Sequence, residues 1–161
     1  SQNWRKQKYK VAKLHQEIAN VRLNHLHQAS HDISKNHAMI VLEDLQIKNM
    51  SQSASGSLDN PGSCVKAKSG LNRAILDQGW GEFRRQLQYK AKWAGGDVLL
   101  VDPKYTSQTC PRCRGISKEN RKTQSLFDCV VCGFKANADY VGALNIEAAG
   151  HAVLACGEMV Q

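Results

Sequence analysis

No apolar run in this chain of 161 residues approaches the roughly 20 residues that a membrane-spanning helix requires. No signal-peptide pattern is visible either, so reduced thiols and a cytoplasmic protein are expected. Internal repeats are missing, which leaves one domain and whatever is inserted into it. Acids are scarce: 14 Asp and Glu stand against 22 Lys and Arg, for a net charge of +8 and a pI of about 9.3. That imbalance points to a polyanionic partner, with an ordinary basic soluble protein as the plain alternative. At 42% hydrophobic, the chain is still able to bury a core.

What is present centres on two short pairs, Cys110-Pro-Arg-Cys113 and Cys129-Val-Val-Cys132, joined by a polar connector. Two cysteines three positions apart can put both sulfurs on one ion, and a second such turn completes a tetrahedron of thiolates around zinc. Gly133 supplies the tight turn after the second pair. Disulfides or redox motifs are the competing explanation, and the absence of a leader disfavours them. Cys64 and Cys156 are expected to be bystanders, and the histidines of the first helix, including His27 and His31 one turn apart, to be solvated.

Residues from about Asn3 to Asn36 read as one long helix, with Val11, Leu14, Ile18 and Val21, then Leu26, Ala29 and Ile33, as a single buried stripe. Its first turns carry Arg5, Lys6, Lys8, Lys10 and Lys13, and no clear cap precedes Trp4. Cations are unfavourable there, so either the helix starts further upstream or its basic face meets phosphates. Ala38 to Leu42 reads as a strand buried on both faces, ending on Glu43 and Asp44. Lys48 to Ser69 reads as a flexible loop with a basic end at Lys66 and Lys68. Leu71 to about Trp93 is expected to be helical, weakened at Gly79 and Gly81, with Leu71, Ile75, Trp80, Phe83 and Leu87 on its apolar side and Arg84 and Arg85 largely elsewhere. Val98 to Val101 is a second strand, and Ala138 to Ala155 a small-residue helix packed closely on a sheet. Glu43 at a strand end and Asp139 at a helix start are the two acids that position singles out. Carboxylates converging on one point are what a two-Mg²⁺ phosphodiester cleavage needs; capping and solvation are the ordinary alternative.

Several stretches together resemble the C-terminal part of the TnpB (OrfB) family of insertion-sequence proteins, relatives of the type V CRISPR effectors. They are Lys10-Val11-Ala12-Lys13-Leu14-His15, Ile40-Val41-Leu42-Glu43-Asp44-Leu45, Gly79-Trp80-Gly81-Glu82-Phe83-Arg84-Arg85, Val101-Asp102-Pro103, Thr106-Ser107-Gln108-Thr109 with the cysteine pairs, and Asn137-Ala138-Asp139 running to Asn145-Ile146. The resemblance implies an α/β fold: a partial RNase H-like, RuvC-like core with an inserted four-cysteine zinc ribbon. Residues 1–103 would form the partial core, 104–134 the ribbon, and 135–161 the closing helix. It implies Glu43 and Asp139 as two of three catalytic, Mg²⁺-binding acids, and Cys110, Cys113, Cys129 and Cys132 as structural zinc ligands. DNA and a guide RNA are the partners it implies, with base pairing reading the sequence, while the basic residues Arg5, Lys6, Lys8, Lys10, Lys13, Lys66, Lys68, Arg84 and Arg85 contact phosphates.

Two departures shape the expectation. A Gly-Ile-Asp-like stretch carrying the family's first acid is not found, and Val141 stands where the family carries Asn, removing an expected supporting hydrogen-bond donor. The chain on its own is therefore expected to be inactive, either as part of a nuclease or as a non-catalytic nucleic-acid binder on the same scaffold. The sequence does not indicate an oligomeric state.

Overall fold

The computed structural model describes residues 1–157. The chain divides into two units. The first takes Ser1–Ala38 and Gln46–Asp97, and is helical. It opens on α1, Gln2–Asn36, whose 35 residues contain neither glycine nor proline. The Ser1 hydroxyl accepts from the Trp4 N–H at 3.4 Å, so the helix does carry a cap. It ends where His37 turns extended.

The stripe expected along α1 is buried only over its C-terminal half. Every residue through His25 is exposed, with Val11, Leu14, Ile18 and Val21 between 48% and 69% accessible. The reason is length. Helix α4, Trp80–Trp93, is less than half as long as α1 and reaches only its second half. Periodicity identifies the apolar face of a helix, not whether anything covers it.

The expected 48–69 loop is partly helical. A short turn, α2, spans Ile47–Met50, and α3 already starts at Val65 and runs to Asp77. The single helix expected from Leu71 to Trp93 is broken at Gly79, whose φ of +67° ends the run. Of its expected apolar side, Leu87 is buried on α4, as is Ala91, while Leu71 and Trp80 are exposed.

The seam between α1 and α4 is polar. Lys90 Nζ donates to the His27 carbonyl at 2.6 Å and to Ser30 Oγ at 2.7 Å. Ser30 Oγ lies 2.6 Å from the Leu26 carbonyl and 2.9 Å from Gln86 Oε1, with a single proton to donate. Gln86 is fully buried and passes its amide to Glu82 at 2.8 Å. Burial lowers the Lys90 ammonium, against the pull of Asp32. Two bonds from Arg85, at 2.7 and 2.8 Å, hold the Glu82 carboxyl down to about 2, with Gln86 assisting. A depressed carboxylate stabilises the fold above its ordinary pKa and loses that contribution as pH falls toward 2. Being near the surface, this one contributes at most about 1 kcal/mol.

The second unit takes Met39–Leu45 and the chain from Val98 on. Strands β1, Met39–Glu43, and β2, Asp97–Val101, form a two-stranded sheet. Asp97 N–H donates to Ala38 O and Asp44 N–H to Val101 O, so they run parallel. Only Ile40 of β1 is buried, so the strand is half-covered rather than enclosed on both faces. β3, Leu126–Asp128, pairs antiparallel with β4, Lys135–Asn137. Helix α5, Ala138–Ala155, then packs on β1 so closely that a Cβ on Gly150 would lie 2.5 Å from a Val41 methyl.

Leu87→Ala should lower the stability of the chain by about 2–4 kcal/mol in urea denaturation. Leu14→Ala should change it by less than about 0.5 kcal/mol; a large effect there would mean the exposed stripe is covered in solution.

Candidate functional site

The second unit holds two arrangements of interest. The first is the sulfur cluster. Cys110 N–H donates to the Gly115 carbonyl and Arg114 N–H to the Cys110 carbonyl; Cys129 with Phe134, and Gly133 with Cys129, repeat the pattern, all four bonds at 2.9 Å. The residue after each pair sits in the left-handed region, Arg114 at φ +61° and Gly133 at φ +68°. The first knuckle thus tolerates, on an arginine, the conformation for which the second uses glycine. Asn120, fully buried, ties the two knuckles together. Its amide donates to the Gln108 and Gly115 carbonyls at 2.8 and 3.2 Å, and its Oδ1 accepts from Val130 N–H at 3.0 Å.

The ligand atoms of Cys110, Cys113, Cys129 and Cys132 lie within 4.8 Å of one another. The Cys110–Cys132 sulfurs are 3.7 Å apart and the Cys113–Cys129 sulfurs 3.6 Å. A tetrahedron with metal–sulfur bonds of about 2.3 Å has edges of about 3.8 Å, so the donor set fits one zinc ion. All four thiols are free of disulfides. The N–H groups of Cys132 and Val131 draw the Cys129 thiol down to about 6. The Phe134 N–H acts the same way on Cys132, yet desolvation and the neighbouring cysteines outweigh it and push that thiol up to about 12. Four thiolates at this spacing need a cation to stay charged together. Among the described residues this is the one cluster of three or more His, Cys, Asp or Glu side chains that could hold a metal.

The second arrangement is a cavity of about 280 Å³ lined by Glu43, Thr106, Ser107, Arg121, Ala138, Asp139, Gly142, Ala143 and Ile146. The two acids singled out in the sequence thus face one space. Glu43 closes β1, and its Oε1 accepts a hydrogen bond from Thr106 Oγ1 at 2.8 Å. Asp139 sits in the first turn of α5, behind an Asn137 cap that accepts from the Asp139 and Tyr140 N–H groups. Its carboxylate is 81% exposed and lies 3.7 Å from Arg121 Nη2. Two carboxylates and one guanidinium around one open space suit a hard cation and a phosphate.

Arg121 and Asn120 were not singled out in the sequence, and Thr106 and Asn145 entered only as members of the stretches that carry the resemblance, with no role of their own. Arg121 sits in a polar connector where a charge is ordinarily solvated, so nothing local marks it. Val141 is completely buried against Cys110, Phe127, Cys129 and Ala138. An aliphatic side chain suits that position.

The basic residues belong to the first unit. Arg5, Lys6, Lys8, Lys10 and Lys13 are exposed on α1, with Lys8 over the Trp4 ring and Lys13 4.0 Å from Glu17. Lys66 is exposed. Lys68 donates to the Met50 carbonyl at 2.6 Å, so it is engaged as a helix cap rather than held out to a phosphate. Arg85 is bound to Glu82 and stacked on Tyr89. Arg84 is half-buried.

Fold and site together define a mixed α/β protein whose fold is similar to that of Cas12f chains, with four cysteines placed to form a zinc ribbon. Residues 80–146 match the family model "Cas12f1-like, TNB domain", and residues 1–54 match "Probable transposase". A Cas12f1–sgRNA–target DNA complex contains a chain that superposes with a TM-score of 0.60 at 24% identity, over 86% of this chain and 37% of that one, a likeness of fold. The "Putative RNA-guided DNA endonuclease InsQ" of Escherichia coli is 63% identical over all of this chain and 40% of its own length. The "CRISPR-associated endodeoxyribonuclease Cas12f1" of Sulfoacidibacillus thermotolerans is 45% identical over 47% of this chain and 18% of its own length. The chain is similar to proteins of the TnpB (OrfB) kind and fits as a fragment of one, spanning under half the length of these curated relatives.

The wild-type chain is expected to carry one Zn²⁺ by metal analysis. Cys129→Ser should lose it and lower the thermal midpoint, and metal affinity should fall as pH is lowered because binding displaces protons. Gly133→Ala meets open space, so only the positive φ is strained. It should keep the zinc and cost about 1 kcal/mol.

Proposed function

We infer that this chain is part of an RNA-guided DNA endonuclease of the TnpB type. It contributes two carboxylates, Glu43 and Asp139, to the cleavage site, together with a zinc ribbon. The observation that carries the reading is their convergence with Arg121 on one cavity. No helix among the described residues is long and apolar enough to cross a membrane. On this reading residues 1–103 belong to a partial RuvC-like core and 104–134 to the ribbon, and the closing segment expected from 135 consists of β4, which pairs with the ribbon strand β3, and then α5.

Bound at Glu43 and Asp139, Mg²⁺ would activate a water and stabilise charge on the attacking and leaving oxygens. The chain's own groups do the positioning. Glu43 keeps one oxygen for Thr106 and offers the other to the cavity. Asp139 stands at a helix start, where the dipole favours a carboxylate. Arg121, 3.7 Å from Asp139, offers a guanidinium to a phosphodiester. Zn²⁺ on the four thiolates has a structural part, since a closed set of four protein ligands leaves no site for substrate. The exposed cations of α1 supply the phosphate contacts for nucleic acid, and in the longer relatives' manner a guide RNA would read the target by pairing.

A third carboxylate is expected to complete such a site, and among the described residues the cavity is lined by two acids. The 161-residue chain should therefore show negligible guide-directed DNA cleavage in Mg²⁺. It should bind DNA and RNA with an affinity that drops about tenfold or more between about 50 and 200 mM salt. Binding indifferent to salt would sink the nucleic-acid reading, and efficient cutting by this chain would show that two acids suffice. A non-catalytic binder on the same scaffold would share the salt dependence, but Glu43→Gln with Asp139→Asn would leave its Mn²⁺ binding unchanged.

A further inference from the structure

The two acids reach the cavity from different elements, and a chain of hydrogen bonds runs between those elements. Thr106 lies in the turn after β2 and is 9% exposed. Its hydroxyl has one proton and two acceptors in reach, Glu43 Oε1 at 2.8 Å and the Pro103 carbonyl at 3.0 Å. The shorter contact, to a carboxylate, is the stronger. The same turn is held from the other side by Asn145 of α5, which is 7% exposed. Asn145 Nδ2 donates to the Thr106 carbonyl and to the Thr109 carbonyl, both at 2.8 Å. Its Oδ1 is buried without a partner. An amide that leaves its acceptor unsatisfied while both donors reach consecutive parts of one turn is costly. The site retains it for the two donors.

We propose that Thr106 and Asn145 are positioning residues for the Glu43 carboxylate: Asn145 fixes the turn on the helix that carries Asp139, and Thr106 fixes the Glu43 side chain to that turn. The acid on the strand and the acid on the helix thereby share one rigid frame. Glu43, at a strand end, is held by a defined partner and not left to sample its rotamers. The catalytic meaning of this frame rests on the reading above, whereas the geometric claim does not.

The test uses the full chain, loaded with zinc. Side-chain couplings and methylene relaxation of Glu43, measured by NMR, should report one rotamer in the wild type. In Thr106→Val, which keeps the shape and removes the donor, they should report averaging over several. Thr106→Ser should restore the single rotamer. Asn145→Asp, nearly isosteric, turns a double donor toward two carbonyls into an acceptor and should release Glu43 as Thr106→Val does. Zinc content and thermal midpoint tell local release from loss of the fold, and Thr106→Val with its Ser rescue stands even where the Asn145 variant does not fold. Glu43 equally ordered in Thr106→Val, or already averaged in the wild type, would overturn the proposal. A Mn²⁺ titration then addresses the functional reading separately. Ordering by Thr106 without any Glu43-dependent Mn²⁺ binding would leave the frame intact and remove its catalytic role. Mn²⁺ affinity reduced several-fold by Thr106→Val and recovered by Thr106→Ser supports both.

Discussion

The sulfur cluster and the first turn of α5 share one apolar core. Cys110 and Cys129 pack with Phe127, Ala138 and Val141, and two of those residues flank Asp139 in sequence. Whatever holds the four sulfurs together therefore also holds the backbone that presents Asp139. Charged thiolates at separations of 3.6 and 3.7 Å repel strongly unless a cation lies between them. A ribbon with two three-residue strands has little else to resist that repulsion. A metal on these sulfurs would thus be more than a remote staple. Two of its ligands, Cys110 and Cys129, belong to the hydrophobic cluster from which the helix of the acidic site begins.

Buried amides do in this chain what a larger apolar core does elsewhere. Asn120 bridges the two knuckles, Asn145 bridges a helix and a turn, and Gln86 links Ser30 to Glu82 within the helical unit. Each joins segments that are irregular or distant in sequence, where backbone pairing cannot reach. Such contacts are directional, so they set positions more sharply than apolar packing of the same extent. They are also vulnerable, because removing one partner strands the others away from water.

This division explains what the sequence made legible. The length of α1, the two strands, the final helix and the thiol pairs follow from local rules: periodicity, apolar runs, small-residue composition and ligand spacing. Glu43 and Asp139 stood out because acids at element ends are not explained by packing. The coverage of Val11 to Val21 was not legible, since the same pattern is written whether or not a neighbour extends that far. Thr106, Asn120 and Asn145 were not legible either, because side-chain bonds to distant carbonyls leave no periodic trace. Arg114 had a signal. It occupies the place in the first pair that Gly133 occupies in the second, and aligning the two knuckles exposes a position where φ must be positive.

The composition of α5 now has a physical reason. One face, with Asp139, Gly142, Ala143 and Ile146, lines the acidic cavity. Another, with Asn145, Ala148, Ala149 and Ala152, lines a second cavity of about 380 Å³ beside Lys104 and Arg114. Gly150 meets Val41 on the strand that ends in Glu43, at a distance that excludes a Cβ. A helix built from bulkier residues would stand further from that strand. Asp139 would move with it, and the Asn145 amide would no longer reach the Thr106 carbonyl. The small side chains that look featureless in the sequence are what let a strand-end acid and a helix-start acid face the same space.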